Sequence, residues 1–405
     1  MRPALMVALM CLAEALGMLT FSTFPALLPT FLDEWALSGT AAGWLSGVFF
    51  LGYMVAVPVL TALTDRIDAR LVYLWSTVLT FAAAMGFAFL ADGFWSALPL
   101  RVLAGAGLAG TYMPGLKALT DRIEDPRLQT RAVSFYTSSF GIGTSLSYLL
   151  AGEIEAWLGW RWAFGLPALG VILSLAIALA VLRPKPVAHV PAHILSFLDF
   201  RPVLRNRRAM AYVLAYSAHN WELFGMRSWI VAFLVFSAAL QPEPPSAFWS
   251  ATAIAAVIGF IGTPSSIIGN EIATRFGRRR MVSLYMLVSA LVCGLVGFSA
   301  ALPFVLVVSL CLLHGITVTC DSASITTGAV QAADPDRKGA TMAMHSFLGF
   351  GLSFLGSLAP GVMLDLAGGR ASQLAWGLAW LTMAAGAALG PVAIWLLARN
   401  GRPED

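Results

Sequence analysis

The chain has 405 residues, of which 59% are hydrophobic and only 11% charged, and its mean hydropathy is +0.79. A soluble domain carries roughly 45–50% apolar and about 25% charged residues, so soluble enzymes and binding modules are excluded and an integral membrane protein is expected. The formal net charge of +4 does not mark a nucleic-acid binder, because the basic residues are spread between apolar runs rather than gathered in one patch.

Crossing a bilayer takes about 20 apolar residues. On that basis the chain divides into twelve spans, at 4–31, 41–62, 71–91, 96–119, 132–153, 161–182, 209–239, 247–268, 281–300, 303–330, 340–365 and 372–398. The pattern predicts an all-α membrane protein of twelve transmembrane helices in two pseudo-symmetric six-helix bundles, residues 1–182 and 209–405, joined by a cytoplasmic middle loop at 183–208. The first run is too long for the roughly 7–15-residue core of a cleavable signal.

Span one contains Glu14-Ala15-Leu16-Gly17-Met18. Its carboxyl lies about eleven residues, roughly 16 Å, into the helix and so near mid-bilayer. An acid there is costly and rarely kept without a use. Desolvation works against the charged form, so such a group can take up and release a proton near neutral pH. A permanently protonated glutamate or a fixed ion pair are the structural alternatives. After span two comes Thr64-Asp65-Arg66-Ile67-Asp68-Ala69-Arg70. Span four carries Arg101, Tyr112, Pro114, Gly115 and Lys117. Its GAGLAG at 105–110 mimics a nucleotide loop, but no strand precedes it; small residues of this kind let helices pack closely. Trp35, Trp95, Trp157, Trp160 and Trp162 fit an interfacial aromatic belt.

The middle loop opens on RPKPVAHVPAH, which cannot hold a helix, and continues ILSFLDFRPVLRNRR, where a short interfacial helix or a plain tether both fit. Span seven is the most polar. It repeats the first motif as Glu222-Leu223-Phe224-Gly225-Met226. Tyr216, His219, Asn220, Leu223 and Arg227 share one stripe of it, which must face the interior. Gly225 is expected to loosen the helix there. Arg227 lies about 140° around the helix from Glu222, so a local pair between them is poor and an anionic substrate group is its natural partner. Span ten holds His314, Thr317 and Asp321, two turns on one face, suiting a proton relay or a counter-charge to Arg101 or Arg227. His345 in span eleven reads as a packing residue. Cys11, Cys293, Cys311 and Cys320 all lie in apolar runs, against a disulfide framework, and no metal-ligand spacing repeats.

Twenty of the 25 Lys and Arg residues fall on the even-to-odd loops and the termini, two on the opposite loops and three within spans. That asymmetry places both termini in the cytoplasm. The halves are repeats. E-x-x-G-M recurs at an offset of 208, Asp125-Pro126 matches Asp334-Pro335 at 209, Gly141-x-Gly143 matches Gly349-x-Gly351 at 208, and 64–70 matches Thr274–Arg280. Twelve spans, a six-plus-six repeat, the long middle loop and the basic loop after span two resemble the major facilitator superfamily. The loop pattern Gly-x-x-x-Asp-Arg-x-Gly-Arg-Lys/Arg is met by Asp65, Arg66 and Arg70, with Thr61 and Asp68 in place of its glycines. Its second copy keeps Arg275, Gly277, Arg278 and Arg279 with Thr274 at the acid's place. Arg101, Gly105 and Gly107 match the Arg-x-x-x-Gly-x-Gly of span four. The resemblance implies rocker-switch transport between two bundles, a switch role for Asp65, Arg66, Arg70, Arg275 and Arg278, and Arg101 as the arginine linked to proton-coupled antiport; by position alone Arg101 can also snorkel.

The resulting expectation is a monomeric inner-membrane secondary transporter of a small anionic organic solute. Spans one, four, seven and ten line its cavity. Glu14, Glu222, Asp321, His219 and Arg101 serve coupling to protons or another ion; Arg227, Tyr216, Asn220, Tyr112 and His314 serve the substrate. It has no cofactor, metal or nucleic-acid partner and no catalytic nucleophile. Export of amphipathic drug-like compounds is the alternative within transport. A transporter-like sensor or assembly scaffold is the alternative outside it.

Overall fold

The computed structural model describes residues 3–186, 200–245 and 250–397. Arg2, Arg399, Arg402, most of the Pro-rich opening of the middle loop and the first part of its apolar–basic stretch lie outside them. The helices, in order, are α1 (Pro3–Gly17), α2 (Thr23–Ala26), α3 (Leu28–Glu34), α4 (Gly39–Leu63), α5 (Ala69–Leu90), α6 (Phe94–Thr120), α7 (Pro126–Leu158), α8 (Trp160–Val181), α9 (Arg201–Arg205), α10 (Arg207–Ala239), α11 (Ala251–Phe276), α12 (Arg278–Gly297), α13 (Phe304–Cys320), α14 (Ser322–Ala332), α15 (Lys338–Leu366) and α16 (Gln373–Leu397). Taking α13 and α14 as one span, ten described helical spans are long and apolar enough to cross a membrane. The 27-residue α6 and 33-residue α7 sit where spans four and five were expected, but carry more polar residues.

Contacts divide the chain into two units, Met1–Leu27 with Val48–His193, and Leu28–Gly47 with Ile194–Asp405. In the first unit, span one is not one helix to residue 31 as expected. It tightens into a 3-10 turn at Met18–Thr20 and breaks before α2. Pro25 cannot supply a backbone N–H to a continuing helix. Ser147 and Thr144 of α7 take up freed polar groups: Ser22 N donates to Ser147 Oγ at 2.9 Å and Ser22 Oγ to the Thr144 carbonyl at 3.2 Å. The glycines of α6 bring helices close. A Cβ at Gly105 would strike the Phe49 carbonyl of α4, at Gly107 Thr80 and at Gly110 Ser76, both of α5.

The second unit begins with Leu28–Gly47. Gly39, Gly43 and Gly47 share one face of α4. A Cβ on Gly43 would lie 3.0 Å from Leu358, and one on Gly47 2.6 Å from the Phe354 carbonyl, both on α15. Asp365 accepts from Gly39 N at 2.8 Å and Thr40 N at 2.7 Å, capping that helix end, and Arg370 pairs with Asp33 at 2.7 Å. Against the expectation of a loosened span seven, α10 runs unbroken through Gly225. That glycine serves close packing: a Cβ there would approach the Gly356 carbonyl at 2.7 Å and Met383 at 3.1 Å. Span ten is interrupted instead, at Asp321 between α13 and α14. The described end of the middle loop forms α9, whose buried Val203 packs with Met210, Val213, Ala340 and Met344.

Candidate coupling and binding sites

In the first unit, Glu14 is buried with its Oε2 accepting from Tyr136 Oη at 2.8 Å; that hydroxyl is also 3.2 Å from the Thr111 carbonyl. Glu14 Oε1 has no hydrogen-bond partner among the described residues. Tyr112 stacks near Tyr136 at 6.3 Å and tilts against Phe140 at 5.1 Å. Arg101 does not snorkel. It is 5% exposed, with its guanidinium 4.8 Å from the Phe24 ring centre and 4.9 Å from that of Phe49, a cation–π sandwich. Lys117 pairs with Asp121 one turn on, at 3.0 Å.

In the second unit, Glu222 turns away from the span-seven stripe. Its Oε1 accepts from Ser289 Oγ of α12 at 2.8 Å and lies 2.9 Å from His314 Nε2 of α13. Cys293 joins them. Glu222, Cys293 and His314 place potential ligand atoms within 4.8 Å of one another, a trio whose residues span 92 positions and fit no metal-site spacing in the sequence. These groups already serve each other and the fold, since Cys293 Sγ also donates to the Trp380 carbonyl at 3.5 Å. Within its own unit, Asp321 is not paired with Arg227. It faces His219, whose Nδ1 is 2.8 Å from its Oδ1; the two atoms are close enough for an ion pair but off the line of a hydrogen bond. Half-buried Arg227 lies over the Phe224 ring at 5.5 Å. Tyr216 stacks on His345 of α15 at 3.7 Å and on His219 at 6.1 Å, with Asn220 buried beside them.

At the expected switch loop, Asp65 is half-buried and Arg66 exposed. The working acid is Asp68, which stands where the family pattern has glycine. It caps α5 by accepting from Arg70 N at 3.0 Å, takes Arg122 Nη2 at 3.0 and 2.8 Å, and receives Lys185 N at 2.8 Å. Arg122 also donates to the Arg183 and Ala118 carbonyls. Burial pulls the Asp68 carboxyl upward, but these donors outweigh it and hold it below the ordinary carboxylate range. In the second unit Arg278 plays the corresponding part, donating to Asn270 Oδ1 at 2.8 Å and the Ser324 carbonyl at 3.1 Å, while Arg275 is exposed. Of the expected belt, Trp95, Trp157 and Trp162 are exposed, but Trp160 is buried against Phe87 with Arg161 stacked over it.

Sequence reading missed Tyr136, Ser289, Cys293 and Arg122. Tyr136, Ser289 and Cys293 are ordinary residues for their helices and Arg122 for the turn after α6; each acquires its role from a neighbour distant in the chain. Asp68 did carry a signal, as a charged residue at a place kept for glycine.

These two polar centres inside helical bundles fit a membrane transporter. The sequence profile of the Major Facilitator Superfamily matches residues 10–346, and the chain belongs to that family. It is a multi-pass integral membrane protein of that family. It is similar to protein spinster homolog 1 of Homo sapiens, 25% identical over 293 residues, 69% of this chain and 55% of that one. The match to the sphingosine-1-phosphate transporter SPNS2 of Mus musculus is 24% over 377 residues, 86% of this chain and 67% of that one. The chain thus spans little more than half the length of the human relative. Among solved structures, a bacterial homolog of the human lysosomal transporter Spinster, inward-facing and occupied, superposes with a TM-score of 0.79 at 14% identity, covering 98% of this chain and 97% of that one.

Proposed function

We propose that the protein is a proton-coupled secondary transporter of a small, amphipathic organic anion, working by alternating access in the inner membrane with both termini cytoplasmic. The carrying observation is the pair of buried carboxyls, Glu14 and Glu222, set by the repeated E-x-x-G-M motif and each hydrogen-bonded inside its own unit. A buried carboxylate with a bare oxygen is costly. Binding a proton relieves that cost at Glu14, and at Glu222 the adjacent His314 can share the proton.

Arg227, half-buried over Phe224, offers a fork for a carboxylate or phosphate. Relatives support an anion of this kind, since one is a sphingosine-1-phosphate transporter and another a hexuronate transporter of Bacillus subtilis, 24% identical over 259 residues. The sphingosine-1-phosphate relative also favours an apolar tail, so the drug-export alternative survives as the amphipathic character of the solute.

The test is flux in proteoliposomes with and without an imposed pH gradient. The gradient is expected to drive accumulation, and Glu222→Gln to abolish the drive while leaving exchange at equal pH. Flux indifferent to the gradient and unchanged by Glu222→Gln would sink the coupling.

A further inference from the structure

His345 was expected to be a packing residue, and its place in the structure is unusual for one. It is 2% exposed, yet neither ring nitrogen has a hydrogen-bond partner among the described residues. Asn220, also buried, directs its side-chain amide at the Tyr216 hydroxyl, which leaves one of its two N–H groups to spare. Both groups lie against Tyr216. The imidazole is stacked 3.7 Å from the phenol ring with only 15° between the planes. Gly349, one turn along α15 from His345, lets α10 and α15 approach so closely that a Cβ there would strike the Tyr216 ring and come within 2.8 Å of Asn220 Nδ2. A neutral imidazole offers one donor and one acceptor and an amide nitrogen offers two donors. Buried polar groups are nearly always satisfied, so a cluster left open asks for a partner.

We infer that His345, stacked on Tyr216 and with Asn220 beside it, is a binding residue that hydrogen-bonds the oxyanion of the solute. The inference rests on the anionic-solute reading above, but not on proton coupling. The Tyr216–His345 stack fixes the ring plane, and Asn220 Nδ2 supplies a second donor. Arg227, two turns from Asn220 on α10, then provides charge rather than the first contact.

His345→Phe keeps a ring of similar size on Tyr216 and removes both nitrogens. Thermal shift is measured for wild type and variant, alone and with inorganic phosphate, glucuronate and sphingosine 1-phosphate. At least one of these anions is expected to raise the wild-type melting temperature and not that of His345→Phe. Without anion the variant should melt at the same temperature or higher, because two unsatisfied groups are gone. With the stabilising anion as substrate, KM should rise about ten-fold or more, a loss of about 1.4 kcal/mol or more in binding, while the pH-gradient dependence persists. Asn220→Leu should raise KM in the same direction. Three results would overturn the inference. One is equal stabilisation of wild type and variant. Another is no stabilisation of wild type by any of the three anions. The third is a lower melting temperature for anion-free His345→Phe, which would show that the nitrogens are satisfied within the fold. Failure of coupling alone would instead appear as gradient-independent flux with His345 still required.

Discussion

A single hydroxyl proton at Tyr136 faces two acceptors, Glu14 Oε2 and the Thr111 carbonyl. An ionised Glu14 claims it; a protonated Glu14 lets it turn to Thr111. Removing the hydroxyl leaves a buried carboxyl without its donor, at a cost of about 1–3 kcal/mol. Tyr136→Phe should therefore lower the melting temperature in detergent by several degrees. Adding it to Glu14→Gln should cost clearly less than the sum of the two changes, because the groups act as a pair. Strict additivity would show that they do not interact. The sequence showed Glu14 at once, as charge in an apolar run. It did not show Tyr136, because tyrosine is unremarkable in a membrane helix and its partner lies 122 residues away. The direction of Glu222 was hidden for the same reason. Helical periodicity places it beside the span-seven stripe, but which neighbour fills that side depends on Ser289 and His314 from two other helices.

Among the elements, apolar length located the spans but not their breaks. The two E-x-x-G-M copies make the point. Met18 opens a 3-10 turn and a break, while Met226 sits inside a 33-residue helix. The difference arises downstream of each methionine. Ser22 and Pro25 come after the first copy, with Ser147 there to bind the freed Ser22 N–H. The second copy leads into a long apolar run with no proline before the end of its helix. Hydropathy averages over these details. Asp68 works at this scale too, tying the start of α5 to the end of α6 and the chain leaving α8. Its carboxyl titrates lower in the folded protein than in the unfolded chain. Its contribution to stability is therefore present above the unfolded value, about pH 4, and is lost as pH falls through the folded one. Asp68→Asn should lower the melting temperature by a few degrees at pH 7, and the gap from wild type should narrow on acidification below about pH 4. A constant gap across that range would rule out the carboxylate as the cause.

Across the whole molecule, repetition of sequence did not preserve repetition of wiring. The first unit holds its acid with a tyrosine and keeps Arg101 between two phenyl rings. The second holds its acid with a histidine and a serine and sets a further aspartate against a further histidine. The family and its helical architecture were legible from span count, repeat and loop motifs, because those depend on composition over long windows. The distribution of Lys and Arg, twenty against two, bears on insertion rather than on contacts. It predicts that a fluorescent protein fused to the C-terminus folds and emits in bacterial cells while alkaline phosphatase fused there stays inactive. The opposite pattern would reverse the orientation.

The bare nitrogens of His345 also bear on how the gene would drift. Folding by itself favours an apolar ring at that place, since unsatisfied polar atoms in a packed interior only subtract from stability. Lineages that lose their solute should exchange this histidine for phenylalanine or leucine early, well before the packing glycines of α6 change. The residue at 345 would then serve as a marker, readable from a genome, of whether a descendant still carries cargo.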